Sequence, residues 1–227
     1  LRPKGSMSPP APLPPAKPVE ANPPATPPPA KPAEANSSPP AESDCLASLR
    51  TMGWDFEALS SADHGSQCKV DTPIQLKSLQ IDGPSSHAIA FPDKPTVACR
   101  FAMRFGQWIG DLAEPLTMGR LGTDFKAIET GPGFECRTMD SLPHAKMSAH
   151  SMGIAVDIGA FDLANGKRVA VTESADAQMV RLLSALRTSA CGWFTTILGP
   201  GTDPYHKTHW HFDIMQHGSS INYRICE

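Results

Sequence analysis

The chain has 227 residues, 24 of them proline, and a formal net charge of −3. So near-neutral a balance excludes the basic footprint that a nucleic-acid partner leaves. No apolar run reaches the roughly 18 residues that a membrane span needs.

Residues 1–44 hold most of the prolines and almost no large apolar side chains, with a near-repeat, "AKPVEAN" at 16–22 and "AKPAEAN" at 30–36. Such a segment cannot bury enough surface to offset the entropy of ordering it, so it is expected to be a disordered, extended tether. Its expected use is as a spacer between a domain and an envelope anchor. No signal peptide is legible, and Gly5-Ser6-Met7 reads as a cloning scar ahead of a truncated start. An export signal or membrane anchor would then have preceded it.

The folded domain is expected over residues 45–227. "CLASLRTMGWDFEAL" opens it as a short helix and turn. In "DKPTVACRFAMRFGQWIGDLAEP", Ala98, Phe101, Ala102, Phe105, Trp108, Ile109 and Leu112 recur at helical spacing, and Pro115 is expected to end the run. "SADAQMVRLLSALRTSACG" is a second helix, with Ser174 as N-cap, a stripe of Met179, Leu182, Leu183 and Leu186, and Gly192 past its end. "DFKAIET", "GIAVDIGAF", "GWFTTIL" and "HWHFDIM" read as strands, separated by turns at 131–133, 164–167 and 199–204. The mixed order predicts an α+β domain, a small antiparallel sheet packed by helices.

The six cysteines are Cys45, Cys68, Cys99, Cys136, Cys191 and Cys226, all in this domain. Scattered singly with no CxxC pair, they point to disulfides and an oxidising compartment rather than to a thiolate metal site. Neighbour-to-neighbour pairing is expected: Cys45–Cys68, Cys99–Cys136 and Cys191–Cys226.

The chemistry lies in two segments. In "PYHKTHWHFDI", a strand over "HWHFDI" turns His209, His211 and Asp213 to one face and Trp210, Phe212 and Ile214 into the core. Two imidazoles on one face can converge on a metal ion. In "SAHSMGIAVD", His150 and Asp157 lie seven apart and share a face only if the chain turns between them; Gly153 permits that turn. Ala155 is small and leaves room beside an ion. Two histidines and a carboxylate form a zinc set of three protein ligands with one position left for water.

Ser148-x-His150-x-x-Gly153-x-Ala155-x-Asp157 followed by His209-x-His211 resembles the zinc peptidase group that unites lysostaphin-type enzymes, D-Ala-D-Ala metallopeptidases and the hedgehog signalling domain. With "CR" at 136–137, "LGPGTDPYHKTHWHFDI" and a near-terminal "IC", the domain is similar more closely to the bacterial extensin-like C-terminal domain family. That resemblance implies a compact α+β zinc fold and cleavage of peptidoglycan stem peptides, as a D,D-endopeptidase or carboxypeptidase. It implies one Zn2+ per chain on His150, Asp157 and His211, with His209 as the unliganded active-site histidine. Many of the D-Ala-D-Ala enzymes place a glutamate base three residues before the last zinc histidine, where this chain has Thr208. His209 is therefore the leading candidate for the base, and the H-x-H arrangement is closer to that of lysostaphin-type enzymes and the penicillin-insensitive murein endopeptidase.

His206 is a candidate for substrate contact or catalysis, Arg137 for a substrate carboxylate, and Ser148 for substrate binding. Asp203 and Asp213 are candidates to orient the site from behind. His64, His87, His144 and His217 read as ordinary surface or loop residues. The domain is expected to be monomeric and periplasmic or exported. The alternative is a zinc-stabilised module that binds wall peptides or a protein partner without hydrolysis.

Overall fold

A computed structural model describes residues 42–62, 65, 67–83, 86–172, 176–219 and 223–227. The proline-rich segment, His64 and Ser174 lie outside the described residues. Helix α1 (Glu42–Thr51) leads into β1 (Trp54–Ala58), β2 (Pro73–Ile81), β3 (His87–Ala90) and β4 (Thr96–Ala98). Helix α2 (Cys99–Trp108) continues through a π turn at Ile109–Ala113 into α3 (Glu114–Leu121), followed by β5 (Phe125–Thr130). Beyond a 3-10 turn at Ala149–Met152 come β6 (Ala155–Leu163), β7 (Arg168–Ala170), α4 (Ala177–Ala190), β8 (Thr196–Leu198), β9 (Trp210–Asp213) and β10 (Ile225–Cys226).

The α+β expectation holds, but the sheet is larger than expected and mixed. Ten strands join in the order β1-β2-β3-β5-β6-β9-β8-β10, with β4 on β2 and β7 on β6. The β3–β5 and β8–β10 pairs are parallel, and the other pairs are antiparallel. The central strand β6 lies between β5 and β9, and its register sets Asp157 directly across from His211.

The helical run does not end at Pro115. The proline sits in the first turn of α3, directly after the wider π turn. The run continues because π bonding, with the Glu114 N–H on the Ile109 carbonyl five residues back, replaces regular α bonding just before the proline. It stops at Gly122, whose φ of 65° turns the chain out. The N-cap of helix α4 is Asp176, whose carboxylate accepts from the N–H groups of Gln178 and Met179.

The core is aromatic. Phe101, Phe105 and Trp108 of α2 meet Phe194 and Phe212, with Phe194–Phe212 centroids 4.9 Å apart and Trp108–Phe212 5.3 Å. Phe212 and Trp210 are buried, as the alternation of β9 requires. Their burial fixes the opposite face of the strand, which carries His211.

Two of the three expected disulfides are corrected. The bonds join Cys45 to Cys99 and Cys68 to Cys136; only Cys191–Cys226 is as expected. Separation along the chain is a poor guide here. Helix α1 packs on α2, which carries Cys45 to within 6.3 Å (Cα–Cα) of Cys99 at the start of α2.

Candidate metal centre

His150 is held by a short polar turn. The Ser148 hydroxyl accepts from the His150 N–H at 3.3 Å and caps the 3-10 turn. Gly153 closes the turn with φ 62°, and a Cβ there would stand 2.6 Å from Val70 Cγ1. The chain thus reverses between His150 and Asp157, as the odd spacing of the two residues requires. Ser148 is buried and spent on this cap.

Three donor atoms meet. His150 Nε2 lies 3.1 Å from His211 Nδ1 and 3.3 Å from Asp157 Oδ1, and His211 Nδ1 lies 3.0 Å from the same oxygen. A tetrahedral ion with bonds of 2.0–2.1 Å would set donor–donor edges of about 3.3–3.4 Å. The triangle fits such an ion to within a few tenths of an ångström.

The far side of each ring sets its tautomer. His150 Nδ1 is 2.6 Å from the Gly133 carbonyl, which can only accept, so Nδ1 carries the proton and Nε2 offers a lone pair. His211 Nε2 is 3.1 Å from Asp213 Oδ2, which leaves Nδ1 for the site in the same way. Two lone pairs and a carboxylate oxygen facing one another require a cation or a proton between them.

The electrostatics agree. Burial pushes the Asp157 carboxyl up, but hydrogen bonds and charge from His150 and His211 outweigh it and hold it well below the usual carboxylate range. Burial pushes His211 down, yet Asp157 and Asp213 outweigh it and raise it to about 9. Its ring stands between the two carboxylates that cause the rise, with Nδ1 3.0 Å from Asp157 Oδ1 and Nε2 3.1 Å from Asp213 Oδ2.

His209 precedes β9, is partly exposed, and brings Nε2 to 3.7 Å from Asp157 Oδ1. Burial, reinforced by the neighbouring histidines, holds its pKa below the usual imidazole value against the pull of Asp157. His206 is buried, with its ring centroid 5.2 Å from that of His209 and 5.7 Å from that of His211. Asp203 Oδ2 binds His206 Nδ1 at 2.7 Å, while Oδ1 accepts from the N–H groups of Tyr205 and His206. Burial pushes the Asp203 carboxyl up, but these partners win and it falls below its usual value.

Of the other candidates, Arg137 pairs with Glu135 at 3.0 Å. His217 Nε2 lies 2.7 Å from Thr196 Oγ1, and His144 is exposed in a loop. Sequence reasoning missed the Gly133 carbonyl, because no residue type marks a backbone acceptor. It also missed a cavity of about 310 Å³ beside His209 and Asp157, lined by Asp93, Glu129, Thr130, Gly131 and Gly159 as well. A larger cavity of about 630 Å³ lies against α4 and Trp210, on the opposite face of β9. It contains none of these histidines.

No curated protein and no solved structure matches the chain. Residues 43–227 match the family described as the extensin-like protein C-terminus. That match spans nearly all of the described fold, including both histidine segments and all three disulfides, and the chain therefore belongs to the extensin-like C-terminal family.

Proposed function

We propose that the domain is a zinc-dependent peptidoglycan peptidase that cleaves stem-peptide amide bonds as a D,D-endopeptidase or carboxypeptidase. The observation that carries this reading is the convergence of His150 Nε2, His211 Nδ1 and Asp157 Oδ1, with both outer ring nitrogens committed to acceptors. The donor set of two imidazoles and one carboxylate suits zinc and leaves one position open. When bound, zinc supplies Lewis acidity at the scissile carbonyl and acidifies water.

The chain's own groups handle the protons. His209 stands next to Asp157, and its depressed pKa leaves it neutral and able to accept a proton at neutral pH. His206, fixed by Asp203 in the tautomer that protonates Nδ1, keeps Nε2 as an acceptor. One of these rings takes a proton from the attacking water and returns it to the leaving amine. Thr208 is exposed at the position where many of the D-Ala-D-Ala enzymes that the motif resembles carry glutamate, so on this reading the work falls to histidine.

Three disulfides accord with an exported or periplasmic location, where wall peptides are reached from an anchored tether. The domain is proposed to act as a monomer. The test is digestion of purified peptidoglycan with zinc-loaded and with chelated protein. Zinc-dependent release of muropeptides supports the peptidase. Binding to the wall without products would favour the non-catalytic module, a reading kept in view by the missing glutamate.

A further inference from the structure

The chain carries a second convergence of metal-ligating side chains, independent of the first. His87 at the start of β3, Glu114 at the start of α3 and Asp124 just before β5 bring one ligand atom each to within 4.8 Å of one another. His87 Nε2 stands 3.1 Å from Glu114 Oε1. The sequence offered His87 only as a loop residue, and none of the three belongs to the His150 centre.

Glu114 is 4% exposed. Both of its oxygens share a single backbone donor, the Phe125 N–H, at 3.2 and 3.1 Å. A buried carboxylate beside a second carboxylate favours a cation or a shared proton between them, and the His87 imidazole faces the same pair as the third donor.

The scaffold fixes each ligand from behind. A π turn at Ile109–Ala113 immediately precedes Glu114, and such turns in otherwise α-helical runs are frequent at functional sites. The Gly122 left-handed turn ends the helix and returns the chain toward Asp124. The Asp124 carbonyl accepts from the Ala164 N–H at 2.9 Å, and the Thr123 hydroxyl accepts from the Asn165 N–H at 3.2 Å. His87 is paired in register with Ile81 of β2.

We infer that His87, Glu114 and Asp124 form a second divalent-metal site, one that ties β3, α3 and β5 together. One imidazole and two carboxylates suit zinc, with manganese as the harder competitor. The site lies far in sequence from the His150 centre and does not rest on the proposed peptidase activity.

The test is metal stoichiometry of the full chain, loaded with Zn2+, desalted and read by elemental mass spectrometry. Wild type should carry two zinc ions per chain. Asp124→Asn, His87→Gln and Asp157→Asn should each carry one. Glu114 is buried, so the partly exposed Asp124 and His87 carry the test, with near-UV circular dichroism confirming native packing. Added Zn2+ should raise the Tm of Asp157→Asn but not that of Asp157→Asn combined with Asp124→Asn. One zinc in wild type that Asp157→Asn removes would overturn the second site. Two zinc ions that persist in both Asp124→Asn and His87→Gln would also overturn it. One zinc that only Asp124→Asn and His87→Gln remove would support this site and overturn the His150 centre instead. No zinc in wild type would overturn both.

Discussion

Asp213 Oδ2 accepts a hydrogen bond from the Nε2–H of His211 at 3.1 Å, and this contact decides which nitrogen of His211 offers its lone pair beside Asp157. The other oxygen, Oδ1, is already held by the Met215 N–H at 2.9 Å and the Thr195 hydroxyl at 3.1 Å. An Asp213→Asn side chain would keep its oxygen on those two donors and turn its NH2 toward His211. His211 would then have to accept at Nε2 and carry its proton at Nδ1, inside the ligand triangle. The expected result is a loss of about 10–100-fold in zinc affinity with the fold retained, measured by competition against a chromogenic chelator.

Gly153→Ala tests the reversal between His150 and Asp157. The φ of 62° disfavours any L side chain, and the new Cβ would meet Val70 Cγ1 at 2.6 Å and the Ala98 nitrogen at 3.0 Å. Destabilisation of more than about 1 kcal/mol is expected in urea unfolding, with metal affinity falling as well, because the His150 turn must shift. Unchanged stability and affinity would show that this turn does not set the site.

The fold and the site were legible to different depths. Side-chain alternation placed Trp210 and Phe212 inside and His211 opposite them, and the seven-residue step from His150 to Asp157 announced the turn at Gly153. These are local signals, carried by residue type and spacing. What remained hidden depends on contacts distant in sequence. The Cys45–Cys99 bond follows from α1 packing on α2, and the Gly133 carbonyl behind His150 has no side chain to betray it. Pro115 was misleading because the π turn before it makes room for a proline that would otherwise end a helix.

The disulfide correction has its own test. Non-reduced peptide mapping should recover Cys45–Cys99, Cys68–Cys136 and Cys191–Cys226. Cys68–Cys136 matters most for the site, since Glu135 beside it donates its N–H to the His150 carbonyl at 3.3 Å. Replacing both partners with serine should cost about 2–5 kcal/mol and weaken metal binding together with stability. A Cys45–Cys68 or Cys99–Cys136 peptide would contradict the fold described.

The metal-free protein should show a pH signature of His211. Its pKa is raised from the ordinary 6.5 to about 9 by Asp157 and Asp213, against burial. A folded pKa above the unfolded one adds stability that is complete below about pH 6.5 and fades as the pH rises through about 9. Chelated wild type should therefore lose more Tm than chelated His211→Asn between those limits. Equal losses would remove the basis for the proton on His211.

The histidines of the H-x-H pair should part company on substitution. His211→Ala removes a donor from the triangle and should lose both metal and the proposed peptidase activity. His209→Ala should keep the metal, because His209 Nε2 stands 3.7 Å from Asp157 Oδ1 and outside the 3.0–3.3 Å triangle. It should lose about 10²–10⁴ in kcat, the range for a positioned proton-transfer group. The three-donor triangle already supplies the usual protein share of a catalytic zinc site. If His209→Ala strips the metal, His209 is a fourth ligand, the open position is gone, and the non-catalytic module becomes the better account. If His209→Ala keeps both metal and full activity, the proton work passes to His206. Asp203→Asn, which removes the charge behind Nδ1 of that ring, should then lower kcat more than it changes KM.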